Sequence, residues 1–338
     1  MYTWASFILW HDNMAALSVP WLMEQYRQIM PNLTTANGTR KSPRSERRGA
    51  TQALTNRHVI DKIINRLAEA EQPLPRSLHF YRQILTAQSK TKPPDLSGTL
   101  TLLREKAIQR LSQGKPILTF QDLAADWADI QSLFREVTVL ANDYLPPMPG
   151  ETEELSEISA DLALLKKAAK TWFAIGTVSR KSMTKNKDMK PLTFSVLEAS
   201  LRPLLTVYAN ELLPLVKQES WYRTYCPICG GSPDFAFLDK ERGARWLLCS
   251  RCDAQWLFYR LVCPHCGNQD QETLAYFADD KSLYRLYVCE KCRGYVKAID
   301  LRQTESEILL PLERILTLDM DRQAHELKYE AAEYPWTR

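Results

Sequence analysis

Four Cys-x-x-Cys pairs are the residues of this chain whose type and spacing best suit chemistry. They account for all eight cysteines of the 338-residue sequence: Cys226/Cys229, Cys249/Cys252, Cys263/Cys266 and Cys289/Cys292. Nineteen residues separate the first pair from the second, and 22 separate the third from the fourth. In four-thiolate metal sites each pair forms a tight turn, here termed a knuckle, and two knuckles close a tetrahedron around one ion. The spacing therefore predicts two metal sites, each with four cysteine ligands.

The spacing allows two ways of combining the knuckles. Sequential pairing joins the first knuckle with the second and the third with the fourth, whereas a cross-braced fold joins the first with the third. The ten residues between Cys252 and Cys263 suit a strand that connects two ribbons, which favours sequential pairing. Both the first and the third knuckle have proline after the first cysteine and glycine after the second, residues that suit a tight chelating turn.

Two other interpretations of the cysteines are a disulfide framework and a set of redox dithiols. Disulfides need an oxidising compartment, and thioredoxin-type pairs occur singly at the start of a helix. The opening residues 1–10 are apolar but show neither a basic leader nor a cleavage site, and no run of 18 apolar residues appears. We therefore expect a cytoplasmic protein without a membrane span, in which the thiols bind metal.

The elements that position the cysteines change type along the chain. Apolar residues recur at helical spacing from about residue 59 to residue 217, ending in a long helix that Thr193 is expected to cap. Aromatic and β-branched runs at 245–248, 255–262, 282–288 and 293–301 then predict strands, and residues 307–333 predict a last helix. The predicted fold class is α+β: an N-terminal all-helical domain, two tandem rubredoxin-like or zinc-ribbon-like four-cysteine modules and a C-terminal helix.

The predicted domain boundaries follow these changes. They are an N-terminal arm and basic linker at 1–50, a helical domain at 51–220, a double metal-binding domain at 221–300 and a C-terminal helix packing back at 301–338. A segment below about 70–80 residues rarely obtains more than about 3–5 kcal/mol from its apolar core. A structural four-ligand site contributes on the order of 10 kcal/mol. Metal binding is therefore predicted to be a folding requirement of the third segment.

The charge distribution argues against binding to nucleic acid. The chain has 44 Lys and Arg against 40 Asp and Glu, but residues 221–300 hold only eleven basic against ten acidic residues. Eight metal-bound thiolates with two divalent ions would bring that segment to a formal charge of about −3. Four aromatic residues could stack on bases as in some zinc ribbons, but they are expected to form a ribbon core: Trp246, Trp256, Phe258 and Tyr259.

Three stretches around the knuckles are distinctive: 225–235 (YCPICGGSPDF), 248–252 (LCSRC) and 256–266 (WLFYRLVCPHC). In these stretches the sequence resembles the FdhE family of formate dehydrogenase accessory proteins, with weaker agreement at 80–82 (FYR), 294–297 (GYVK) and 318–319 (LD). It implies a cytoplasmic, non-catalytic protein that binds the catalytic subunit of a formate dehydrogenase and helps it to reach an active form. It also implies two rubredoxin-like sites joined to a helical domain, with iron as the metal. Thiolate ligands by themselves allow iron or zinc.

Three functions are therefore considered. The leading hypothesis is an assembly factor for formate dehydrogenase, the first alternative is redox chemistry or redox sensing at iron sites, and the second is a zinc-ribbon protein that binds nucleic acid. His265 lies inside the third knuckle and is expected to face solvent rather than ligate metal. The candidate contacts for the client protein are Arg260, Lys297, Asp279 and Asp280, each of which also suits a solvated surface. The oligomeric state is left open by the sequence.

Overall fold

The structure, a computed structural model of the chain, describes residues 56–70, 72–145, 147, 149–175 and 189–331. The predicted arm and basic linker at 1–50 lie outside this range. The helices of the described part before the sheet are α1 (Asn56–Ala68), α2 (Arg76–Ser89), α3 (Ser97–Ser112), α4 (Trp127–Tyr144), α5 (Glu151–Ala160), α6 (Leu162–Ile175), α7 (Pro191–Leu212) and α8 (Gln218–Trp221). None of the described helices is long and apolar enough to span a bilayer.

Helix α7 is the centre of the helical part. It contacts α1, α2, α4, α5 and α6, and its side chains are buried on nearly every face. The predicted cap at Thr193 is wrong, because the helix begins at Pro191 and Thr193 is buried in its first turn. Proline fits this position because its missing N–H would have no helical acceptor there. Pro203 lies inside the helix, which continues to Leu212.

The six strands of the described residues form one sheet. The strands are β1 (Pro233–Leu238), β2 (Arg245–Cys249), β3 (Gln255–Phe258), β4 (Leu274–Ala278), β5 (Tyr284–Cys289) and β6 (Gly294–Asp300). Their order is β3-β2-β1-β6-β5-β4, and every neighbouring pair is antiparallel except β1 and β6. The sheet therefore consists of two three-stranded ribbons, β1–β3 and β4–β6, that are joined edge to edge by a parallel pairing.

The two ribbons are translational repeats of one unit. In each ribbon a knuckle precedes the first strand and a second knuckle connects the second strand to the third. Strand β4 thus corresponds to β1, and β6 corresponds to β3. The joining register places Phe235 opposite Lys297 and Phe237 opposite Ile299. Because β6 is hydrogen-bonded on both sides, the two tandem modules predicted from the sequence share a continuous backbone ladder.

The C-terminal segment forms two short helices rather than the single helix predicted at 307–333. Helix α9 (Leu310–Leu316) ends at Thr317, and α10 (Leu318–Glu326) follows at once. Lys297 of β6 fixes the break, because its ammonium donates to the carbonyls of Arg314 (2.9 Å) and Thr317 (3.2 Å). Beyond α10 the chain returns to the sheet, where the Tyr295 N–H donates to Glu330 O at 3.0 Å.

A continuous apolar core connects the helices to the first ribbon. It includes buried side chains from α1 to α7, Cys226 and Cys229 of the first knuckle, and Trp256 of β3. The division at residue 220 remains a prediction. The packing means that the first knuckle lies inside the protein rather than on the surface of a separate module.

Candidate metal centres

The eight cysteines gather into two groups of four in sequential order. We call Cys226, Cys229, Cys249 and Cys252 cluster A, and Cys263, Cys266, Cys289 and Cys292 cluster B. Within each group all sulfur atoms lie within 4.8 Å of one another. The cross-braced alternative is therefore not the observed arrangement.

The sulfur separations fit a tetrahedral metal site. In cluster A three Sγ–Sγ distances are 3.5 to 3.6 Å, and in cluster B two are 3.7 and 3.8 Å. A tetrahedron with metal–sulfur bonds of about 2.3 Å has edges of about 3.8 Å. A disulfide would bring two sulfurs to about 2.05 Å, and all eight cysteines are free. Each cluster could therefore hold one iron or zinc ion.

All four knuckles share one backbone turn. The residue after the second cysteine has a positive φ in each case: Gly230 (74°), Asp253 (55°), Gly267 (70°) and Arg293 (55°). In the first knuckle this conformation lets the Gly230 N–H donate to Cys226 O at 3.0 Å, and the Gly267 N–H donates to Cys263 O at 2.9 Å in the third. Glycine adopts this conformation without strain, whereas Asp253 and Arg293 need compensating contacts from their side chains.

Backbone N–H groups of the knuckles point at the sulfurs. In cluster A the N–H groups of Ile228, Gly231 and Arg251 each donate to a cysteine sulfur at 3.4 Å. In cluster B the His265 N–H donates to Cys263 Sγ at 3.4 Å. Such hydrogen bonds stabilise thiolate charge and tune a bound metal.

Cluster A is closed on the helical side by direct backbone pairing. The N–H groups of Ile117 and Leu118, which follow α3, donate to the carbonyls of Pro227 and Ile228 at 2.9 Å. Arg251 of the second knuckle is fully buried and donates to the carbonyls at the end of α6, with its guanidinium 4.2 Å from the centre of the Trp172 ring. Both knuckles of cluster A are therefore anchored to the helices.

The second knuckle is also held by two arginines from other elements. Arg202 of α7 and Arg314 of α9 both contact Asp253 Oδ1, at 2.8 and 3.0 Å. Arg314 also donates to Cys249 O at 3.1 Å, and Arg202 donates to Ser250 O. The positive φ of Asp253 is thus supported by two ion pairs, which connect the cluster to the central helix and to the C-terminal segment.

This charge network is balanced by two further carboxylates. Arg314 pairs with Asp234 at 2.7 Å and Arg202 pairs with Glu198 at 3.0 Å. Burial raises the pKa of Glu198 to about 7, although the arginine beside it acts in the opposite direction. The network is therefore costly to desolvate and depends on each partner being present.

Burial and hydrogen bonds between thiols shift the pKa of three cysteines of cluster A. Loss of hydration raises the pKa of Cys226 and Cys252 well above the value of a free thiol. At Cys229 the same burial is outweighed by hydrogen bonds from neighbouring thiols, which hold its pKa well below the usual range. Four thiolates in this position would require a compensating cation, which is the role that a bound divalent metal fulfils.

Cluster B is more open than cluster A. Cys266 and Cys292 are partly exposed, whereas all four cysteines of cluster A are buried. The His265 ring lies beside the cluster, but its Nε2 is 2.6 Å from Tyr295 O, so it contacts the backbone rather than acting as a ninth ligand. The side chain of Asn268 approaches Cys289 Sγ at 3.7 Å.

The four candidate contacts for the client protein lie in different environments in the structure. Arg260 and Asp280 are exposed and Asp279 is partly buried, with its carboxylate accepting from the Tyr284 N–H at 2.9 Å. Lys297 as a contact residue is wrong, since it is buried and paired with Asp321 at 2.5 Å. The sequence predicts a position on a strand edge or turn, but every residue of β6 is buried.

Sequence reasoning missed the arginines that surround cluster A. Arg202, Arg251 and Arg314 come from three distant segments, and only Arg251 lies within a knuckle. The signal that could have located Arg251 is its place between the cysteines of a pair. Nothing local distinguishes the other two from surface arginines.

Comparisons with known proteins agree on one family. A sequence model described as "FdhE, central domain" matches residues 225–260. The "Protein FdhE homolog" of Aquifex aeolicus is 28% identical over 273 residues, which cover 78% of this chain and 89% of that protein. The homologue of Shewanella sp. strain MR-4 is 40% identical over 100 residues, covering 28% of this chain and 33% of that protein.

A solved structure has the same fold. The crystal structure of the FdhE protein from Pseudomonas aeruginosa aligns with 84% of this chain and 95% of that chain, with a TM-score of 0.51 and 20% identity. The match spans the helical part as well as the sheet, because the sheet and the segment after it make up less than half of the residues. The knuckle sequences and the relatives make this chain similar to the FdhE proteins, and the solved structure shows that it shares their fold.

Proposed function

We propose that this protein is an accessory assembly factor for the maturation of formate dehydrogenase. It binds the catalytic subunit of that enzyme in the cytoplasm and catalyses no reaction itself. The observation that carries the proposal is the pair of four-cysteine clusters built into one sheet, in a chain similar to the FdhE proteins. All eight cysteines lie in these clusters, so none is left over as a separate nucleophile.

In this proposal each cluster holds one metal ion, with iron favoured and zinc possible. The ions act as parts of the scaffold: they fix the knuckles, and the knuckles fix the surfaces of the sheet. A rigid scaffold of this kind suits recognition of a partially folded subunit. Because the scaffold is already ordered, it loses little conformational entropy when the subunit binds.

Co-purification with the catalytic subunit tests the proposal. The metal-loaded protein, co-expressed with the catalytic subunit of formate dehydrogenase from the same organism, is expected to form a stable complex on size-exclusion chromatography. The catalytic subunit of an unrelated oxidoreductase serves as the control and is expected to elute separately. Failure of folded, metal-loaded protein to retain the formate dehydrogenase subunit would refute the assembly role.

Redox chemistry at cluster B is a second candidate function, favoured by the partial exposure of Cys266 and Cys292. An iron ion held by four thiolates supports a one-electron change. Protein purified without added metal is expected to show a visible absorption band that bleaches with dithionite and returns in air. Colourless protein containing only zinc would eliminate this candidate and leave the assembly role intact.

A further inference from the structure

The outer edge of strand β4 is open. β4 is the last strand in the sheet order, and no segment of the described chain pairs with its outer side. Residues 275–278 are exposed in succession, and the aromatic side chains of Tyr276 and Phe277 are 54% and 50% exposed. An unpaired apolar edge is a template for another strand, and proteins usually protect such an edge with charge or proline. Strand β4 contains neither.

The backbone of β4 presents free hydrogen-bonding groups at this edge. At its two ends the Asp279 N–H donates to β5 at 3.1 Å, and Thr273 O accepts a hydrogen bond at 2.9 Å from the residue after β5. Bonded residues alternate along an antiparallel ladder. The N–H and C=O groups of Tyr276 and Ala278 therefore face away from β5, whereas the Leu274 N–H donates to Gln271 O of the preceding turn.

The equivalent edges elsewhere in the sheet are covered. At the opposite end, α8 packs against β3, and the Gln218 side chain accepts from the Leu257 N–H at 3.1 Å. Strand β1, which corresponds to β4 in the repeat, has its edge filled by β6 in parallel. The protein thus already contains one example of a strand docked on this position of the ribbon.

The charges around β4 indicate what can dock there. Asp270 and Glu272 precede the strand, and Asp279 and Asp280 follow it. A segment with basic residues at both ends would complement these acids. Two copies of this chain paired antiparallel through β4 would instead place the acids of one copy opposite those of the other, which is unfavourable.

We propose that the β4 edge binds an extended segment of the client's catalytic subunit as a seventh strand. The segment has apolar residues in its middle and Lys or Arg at both ends. This inference rests on the proposed function and specifies its contact surface. Main-chain hydrogen bonds provide the attachment, and Tyr276 and Phe277 select the side chains of the segment.

Tyr276→Pro is the sharpest test. Proline removes the outward N–H of residue 276 but no hydrogen bond to β5, and proline is tolerated on edge strands in this orientation. The variant is expected to keep its circular dichroism spectrum and metal content. It is expected to bind the catalytic subunit about two- to tenfold more weakly, as for the loss of one main-chain hydrogen bond. Tyr276→Thr, which keeps the N–H, is the matched control and is expected to bind more tightly than the proline variant.

A charge reversal provides an independent test if the proline variant fails to fold. The double variant Glu272→Lys, Asp280→Lys changes two exposed acids that form no ion pair with another described residue. It is expected to weaken binding to the same subunit. Glu105→Lys, Glu153→Lys makes the same charge change on exposed positions of α3 and α5 and is expected to have no effect.

Hydrogen exchange in the complex gives a direct readout. Residue-resolved exchange of the wild-type protein with and without the catalytic subunit is expected to show new protection at Tyr276 and Ala278, whose N–H groups face outward. Wild-type binding that survives both Tyr276→Pro and the charge reversal would overturn this inference and leave the proposed function standing. Absence of wild-type binding would refute the proposed function itself. Tyr276-dependent self-association would identify a second copy as the occupant and also overturn the inference.

Discussion

Replacing Cys229 with serine is expected to abolish cooperative folding, whereas replacing Cys266 with serine is expected to remove one metal ion and leave most of the fold. A structural four-thiolate site contributes on the order of 10 kcal/mol, which is comparable with the roughly 5–15 kcal/mol of stability of a whole domain. Cys229 lies in buried cluster A, whose first knuckle is hydrogen-bonded to Ile117 and Leu118 after α3 and whose second knuckle is hydrogen-bonded to α6 through Arg251. Loss of this site therefore disrupts both the sheet and the helical part.

The Cys266→Ser variant is expected to stay largely folded because of the position of cluster B. Cys266 is partly exposed, and its knuckle contacts the β4–β6 ribbon through His265, whose Nε2 lies 2.6 Å from Tyr295 O. Elemental analysis is expected to give two metal ions per chain for the wild type and one for Cys266→Ser. Thermal unfolding followed by circular dichroism is expected to show a lowered but cooperative transition for Cys266→Ser and none for Cys229→Ser. Equal metal contents and equal transitions in the two variants would contradict this assignment.

A large loss of unfolding free energy is also expected when the buried ion pair of Lys297 and Asp321 is broken. Their side chains are 2% and 3% exposed and 2.5 Å apart, and the Tyr295 hydroxyl donates to the other Asp321 oxygen at 2.7 Å. Asp321→Asn removes the carboxylate that contacts the ammonium and leaves the more distant Asp319 as a weaker counterion. Removing one partner of such a buried pair costs about 3–5 kcal/mol. Urea unfolding at pH 7 measures the loss.

Two controls separate burial from charge pairing in general. Lys240 and Glu305 form an ion pair at 3.3 Å, but their side chains are 46% and 83% exposed. Glu305→Gln is expected to cost no more than about 1 kcal/mol. Adding Lys297→Met to Asp321→Asn is expected to recover part of the lost stability, because the buried charge is removed. If Asp321→Asn cost no more than Glu305→Gln, the buried pair would be shown to contribute little.

The candidate metal centres could be located from the sequence because their signal is local. Cysteine pairs at a spacing of two residues form the same turn wherever they occur, and all eight positions lie in the two clusters as grouped by spacing. The change from helical to strand periodicity is also a local feature, and it predicts the order of helices and strands. The α+β class is confirmed by the structure.

The features that could not be predicted from the sequence depend on contacts between distant segments. The parallel pairing of Phe235 with Lys297 joins residues more than sixty positions apart, and no turn signal specifies it. The break at Thr317 depends on an ammonium from β6, so the local periodicity of 307–333 predicted one helix. For the same reason Lys297 was interpreted as a surface residue.

The attachment of the second and fourth knuckles to the C-terminal segment has a consequence for synthesis. Asp253 is held by Arg314, and Arg293 donates to the carbonyl of Leu327 at 2.8 Å. Both partners follow the last cysteine in the chain, so they leave the ribosome after all eight thiols have emerged. The nascent chain therefore passes through a stage in which its thiols are accessible to metal while the segment that contains Arg314 and Leu327 is still inside the ribosome. Metal can therefore bind the cysteines before the C-terminal segment contacts the second and fourth knuckles. The order of translation provides the time for this step.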